Sequence, residues 1–88
     1  MTKNEKRLKK EALNPFLEVT IRVGKSGLTD SVVDELDSQL KSRTMVKAKL
    51  NRGLADDSAD RKDMWQMLAE QTSSKLILMR GNIAVFYR

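Results

Sequence analysis

The sequence predicts an α/β domain of the two-layer α+β kind, ordered α-β-α-β-α-β-β, with helices packed on a mixed four-stranded sheet. Three features carry that expectation. Apolar and polar residues alternate at period two in 17–23 and 45–50. Apolar residues recur at helical spacing in the segments between and after them. Gly81-Asn82 then joins two further apolar runs as a tight hairpin turn would. At 88 residues, one domain spanning 1–88 is expected, with no repeat and no linker.

Lys3 to Leu13 reads as the first helix. Thr2 and Glu5 form a capping-box pattern, and Asn14-Pro15 ends the helix because proline disfavours helical geometry in the residue before it. Its apolar stripe is thin, Leu8 and Ala12 with Leu13 beside them, so it leans on the domain weakly and shows Lys6, Lys9 and Lys10 to solvent. Leu17 to Val23 is a strand. Leu17, Val19, Ile21 and Val23 share one face; Glu18, Thr20 and Arg22 share the other. After the short loop Gly24-Lys25-Ser26-Gly27, Thr29 caps a helix to about Lys41, buried through Val32, Val33, Leu36 and Leu40. Met45 to Leu50 is the second strand, with Val46, Ala48 and Leu50 inward and Met45, Lys47 and Lys49 outward. Asn51 to Asp56 is a loop. A third helix runs from Asp57 or Ser58 to about Thr72, with Met64, Trp65, Leu68, Ala69 and Thr72 on its apolar side. Lys75–Arg80 and Ile83–Tyr87 are the closing strands. The earlier strands are linked through helices, which calls for right-handed crossovers between parallel or near-neighbour strands.

Composition narrows the chemistry. Seventeen Lys and Arg against twelve Asp and Glu give a net charge of +5, and the sequence pI is about 9.8. There is no Cys and no His, which excludes disulfides, thiolate metal sites, Cys nucleophiles and His–carboxylate catalysis. No apolar run is long enough to cross a bilayer, and the charged N-terminal stretch does not resemble a secretory signal. A cytoplasmic protein with an anionic partner is expected.

The charge is also segregated. Residues 1–25 hold seven basic and three acidic side chains; the remainder holds ten and nine. Asp30, Asp34, Glu35 and Asp37 cluster on the second helix, whereas residues 41–52 carry Lys41, Arg43, Lys47, Lys49 and Arg52 with no acid. Blocks of one sign create a field that an extended polyanion can use.

Gly24-Lys25-Ser26-Gly27 lies between a strand and a helix N-terminus. Two glycines allow positive φ and close approach of a backbone. Helix-start amides point outward with the positive end of the macrodipole behind them. Lys25 adds a cation and Ser26 a hydroxyl, so a phosphate fits; Asp30 opposes it by using part of the same field. A nucleotide-binding P-loop would need glycine where Val19 stands, so that reading fails. The competing reading is that the glycines only turn the chain. If the first two strands are neighbours, Arg22, Lys25, Lys47 and Lys49 converge beside this loop. Lys47 and Lys49 could instead protect an edge strand or a solvated sheet face.

Gly-Lys-Ser-Gly-Leu-Thr at 24–29, Val46-Lys47-Ala48-Lys49, and the ending Arg80-Gly81-Asn82-Ile83-Ala84-Val85-Phe86-Tyr87-Arg88 resemble the CRM domain (chloroplast RNA splicing and ribosome maturation) in its single-domain YhbY-like form. Leu8-Lys9, Ala12 and Asn14-Pro15 also fit, so the resemblance runs from about Lys6 to Arg88. It implies a fold like the C-terminal domain of a bacterial translation initiation factor. It further implies a non-enzymatic RNA-binding module without cofactor, acting on precursors of the large ribosomal subunit. Carried onto this chain, the RNA contact is Gly24, Lys25, Ser26 and Gly27, surrounded by Arg22, Lys47 and Lys49. The basic first helix (Lys6, Lys9, Lys10) extends it. A monomer with RNA as partner is expected, with neither DNA nor membrane. The segment Asn51 to Asp60 departs from the family pattern in being longer and more acidic.

Other constellations read as structural. Asp56-Asp57-Ser58-Ala59-Asp60 imitates a magnesium site, as a nuclease would need, but acids at a helix start cap its amides. Trp65 sits at core spacing, and Tyr87 shares a strand face with Ile83 and Val85. With four aromatics in the chain, phosphate and shape contacts should outweigh sheet stacking. Arg88 is open to a structural or an RNA-contacting role. The alternative function is a ribosome-associated protein–protein adaptor docking through its acidic second helix.

Overall fold

A computed structural model describes residues 3–14, 16–24, 27–51 and 58–88. Its elements are α1 (Lys3–Ala12), β1 (Val19–Val23), α2 (Asp30–Ser42), β2 (Met45–Leu50), α3 (Ser58–Gln71), β3 (Lys75–Arg80) and β4 (Ile83–Tyr87). The expected order is the observed one. The Thr2–Glu5 capping box, the Pro15 break and Asp56-Asp57 fall outside the described residues or side chains. Among the described residues no helix is long and apolar enough to cross a membrane.

The four strands form one mixed sheet in the order β1-β2-β4-β3. β1 and β2 are parallel, joined across α2. The Gly81-Asn82 turn makes β4 antiparallel to β3, with Gly81 at φ +58. β4 also pairs antiparallel with β2, so it lies between β2 and β3. Its sequence explains the interior slot. Ile-Ala-Val-Phe-Tyr is apolar at every position, as a strand covered on both faces requires. The charged ends of β3, Lys75 and Arg80, suit an edge.

Helices α2 and α3 cover one sheet face. Leu36 and Leu40 of α2 and Trp65, Leu68 and Ala69 of α3 pack with Ile21, Val23, Val46, Ala48, Leu50, Ala84 and Phe86. The Trp65 and Phe86 rings meet edge to face, with centroids 5.9 Å apart, which fixes Trp65 as a core residue. Thr29 caps α2 as expected, its Oγ1 accepting from Val32 N–H at 3.3 Å.

Helix α1 packs on the opposite face. Ala12, Ile77 and Val85 form a second cluster with Leu8, Leu17, Met45, Leu78 and Tyr87 around it. Ala12 is buried, so α1 is seated more firmly than its thin stripe suggests, although Leu13 stays exposed. Met45 is accordingly half-buried beneath α1 instead of facing solvent.

Each edge strand carries one extra residue. Val19 pairs with Lys47 and Ile21 with Ala48, so Thr20 is the added residue of a bulge. This corrects the period-two reading of β1. Thr20 turns toward α2, where its hydroxyl donates to Gln39 Oε1 and its carbonyl accepts from Gln39 Nε2. It does not share the Arg22 face. Leu17 likewise joins the α1 cluster, leaving only Ile21 and Val23 on the α2–α3 side. In β3, Leu76 pairs with Phe86 and Leu78 with Val85, which makes Ile77 the added residue.

Candidate nucleic-acid interface

The face bearing α1 is the basic one. Arg22 lies between buried Ile21 and Val23, and Lys49 between buried Ala48 and Leu50, so both point away from α2 and α3. The register sets Arg22 opposite Lys49, Lys49 opposite Ile83, and Ile83 opposite Arg80. One row thus crosses the whole sheet and carries three exposed cations. With strands about 4.8 Å apart, the backbone positions of Arg22 and Arg80 are about 14 Å apart.

Arg80 was not among the sequence-predicted contacts. Strict alternation from Lys75 would have turned Arg80 toward the helices. The bulge at Ile77 shifts the phase by one residue and returns it to the basic face. The only sequence signal was its position next to a hairpin turn.

Lys47 sits two residues further from the loop and is half-buried. Its Nζ donates to Leu17 O at 3.3 Å. It also lines a cleft of about 400 Å³ with Ala12, Leu13, Leu78, Arg80 and Ile83, where the end of α1 meets the sheet. Lys6, Lys9 and Lys10 are exposed on α1, on the same side of the sheet.

The Gly24–Gly27 loop stands at the end of this row. Asn51 N–H donates to Val23 O at 3.0 Å and Leu50 N–H to Asn82 O at 2.7 Å. The loop, the end of β2 and the hairpin turn therefore line one rim of the sheet. Lys25 and Ser26 lie outside the described residues. Gly27 N–H donates to Gly24 O at 2.9 Å, closing the turn, and Thr29 N–H donates to Gly27 O at 3.1 Å. These amides are engaged within the loop, so it presents fewer main-chain donors than its sequence suggests. The glycines also differ. Gly27 has φ +69, whereas Gly24 is not in the left-handed region.

The acids of α2 face the other way. Asp30, Asp34 and Glu35 are exposed on α2, which covers the opposite sheet face. Arg88 lies on that side too, bonded to Asp37 Oδ1 and Thr72 O. The sheet thus separates the row of Arg22, Lys49 and Arg80 from the acids of α2. Among the described residues, no group of three or more Asp, Glu, His or Cys could hold a metal ion.

The family model for the CRS1 / YhbY (CRM) domain matches residues 1–88. "Probable RNA-binding protein PA4753" of Pseudomonas aeruginosa is 30% identical over 78 residues, covering 89% of this chain and 72% of that protein. The solution structure of SAV1595 from Staphylococcus aureus matches with a TM-score of 0.77 at 25% identity. It covers 100% of this chain and 88% of that one, and its name gives RNA binding as a provisional assignment.

Proposed function

The chain belongs to the CRS1 / YhbY (CRM) domain family, and from that premise we propose that residues 1–88 are a non-enzymatic RNA-binding domain that grips structured RNA by its phosphates. The observation that carries the reading is the in-register row of Arg22, Lys49 and Arg80 on the face away from the acidic helix. Exposed cations on a common sheet face suit a sugar–phosphate strand, and they position RNA without reading its bases. The loop at 24–27 extends the row at its rim, with Lys25 and Ser26 as its polar side chains. Lys47, Lys6, Lys9 and Lys10 widen the footprint. The RNA of the large-subunit precursor is the proposed target, on the strength of the family resemblance, with the cytoplasm as the compartment.

Filter binding with a structured RNA at two salt concentrations tests this reading. Five or six phosphate contacts give a log–log slope of about −4 to −5. Lys25→Glu with Lys49→Glu should weaken binding strongly while the domain stays folded. Binding that does not change between low and moderate salt, or weak retention that never saturates, would favour the adaptor reading instead.

A further inference from the structure

Phe16 is 87% exposed, more than any other large apolar side chain among the described residues. An aromatic ring this exposed is open to a partner and offers a flat apolar face to it. Its mount is ordered. Phe16 N–H donates to Asn14 Oδ1 at 2.9 Å, and Leu17 N–H donates to Asn14 O at 3.1 Å. The turn therefore holds Phe16 by a side-chain bond before it and a main-chain bond after it.

Its surroundings narrow the partner. Leu17, the next residue, supplies the carbonyl that accepts from Lys47 Nζ. Leu13, on the preceding turn of chain and 56% exposed, lines the cleft that Lys47 and Arg80 share. An exposed leucine thus lines a cleft whose polar groups include two cations, and the exposed ring stands one residue from the carbonyl that one of them holds. Its volume of about 400 Å³ is in the range of small-ligand sites. A flat, uncharged ring system joined to an anion matches this pairing, and a nucleotide in an RNA strand has that form. A paired base hides its faces in the helical stack; an unpaired one offers a face for stacking.

We propose that Phe16 is a stacking platform for one unpaired base of the bound RNA, with Lys47 and Arg80 holding the adjoining phosphates. This rests on the RNA-binding reading above and sharpens it. The preferred RNA carries a bulge or loop beside a helix, and continuous duplex binds more weakly.

The test compares an RNA hairpin carrying a single-nucleotide bulge with a blunt duplex of equal length. Phe16→Ala should weaken binding to the bulged RNA about tenfold. The duplex affinity should change less than twofold, and the salt slope should not move, because no charge is removed. An unchanged Tm checks that the variant is folded. Phe16→Trp should retain the bulge preference and lose emission on binding, above the constant signal of buried Trp65. Equal affinities of Phe16→Ala and wild type for both RNAs would overturn the stacking role, as would equal losses on both. In either case a retained steep salt slope leaves the phosphate reading standing. Wild-type protein with no salt-dependent binding to either RNA would overturn both.

Discussion

Arg88 clamps Asp37. Its Nη1 donates to Asp37 Oδ1 at 2.6 Å and to Thr72 O at 2.7 Å, and its Nη2 donates to Asp37 O at 3.1 Å. One guanidinium therefore ties α2 to the residue that follows α3 and satisfies a carbonyl at that helix end. Arg88→Ala should lower Tm by about 5 °C, as loss of roughly one net interaction does in a domain this small. Arg88→Lys should not restore it, since an ammonium lacks the planar fork. Thermal melts check this. RNA affinity should be unchanged, because this clamp lies across the sheet from the cation row.

The same pair sets a pH dependence. The hydrogen bond from Arg88, helped by the charges of Arg88 and Lys41, holds the Asp37 carboxyl below its ordinary value of 3.8. Lys41 Nζ lies 3.5 Å from Asp37 Oδ2. Because the folded value is the lower one, the ionised group stabilises the fold fully above its unfolded value. That contribution is lost as pH falls through the folded value. Melting curves of wild type and Asp37→Asn should differ at pH 6 and converge as the pH falls below the ordinary carboxylate value and through the lowered one of Asp37. A constant gap across that range would contradict the assignment.

Gly27 and Gly24 should respond differently to alanine. A Cβ at Gly27 has open space around it but would sit on a backbone at φ +69. Gly27→Ala should therefore cost about 1–2 kcal/mol. A Cβ at Gly24 would meet Asn51 Nδ2 at 4.0 Å, an ordinary contact, so Gly24→Ala should be close to neutral. Urea denaturation midpoints of the two variants separate backbone strain from crowding.

The cation row makes a directional prediction. Arg22→Ala, Lys49→Ala and Arg80→Ala should each weaken RNA binding and each reduce the magnitude of the salt slope by about 0.7–0.9. Lys62→Ala, exposed on α3 on the opposite side, should change neither. Equal effects from Lys62 and Arg80 would mean that net charge, and not its placement, drives binding.

Much of the fold was legible because its signals are local. The Thr29 cap, the Leu36–Leu40 stripe, the alternation of Met45–Leu50 and the Gly81 turn each lie within a few neighbouring residues. The candidate site was legible in part. Arg22 and Lys49 could be paired because a crossover through α2 makes β1 and β2 natural neighbours. Thr20 and Arg80 were not legible. A single inserted residue in each edge strand reverses which face they occupy, and neither bulge is marked by glycine or proline.

The amino-acid order by itself determined the elements and the segregation of charge, since periodicity, caps and turns act over a few residues. Tertiary structure decided how those elements combine. It placed β4 between β2 and β3, seated α1 across the sheet from α2 and α3, and brought Arg80 into line with Arg22 and Lys49. Strand pairing joins residues far apart in the chain, and its register is settled by burying both faces of β4 at once. No local window of sequence contains that condition.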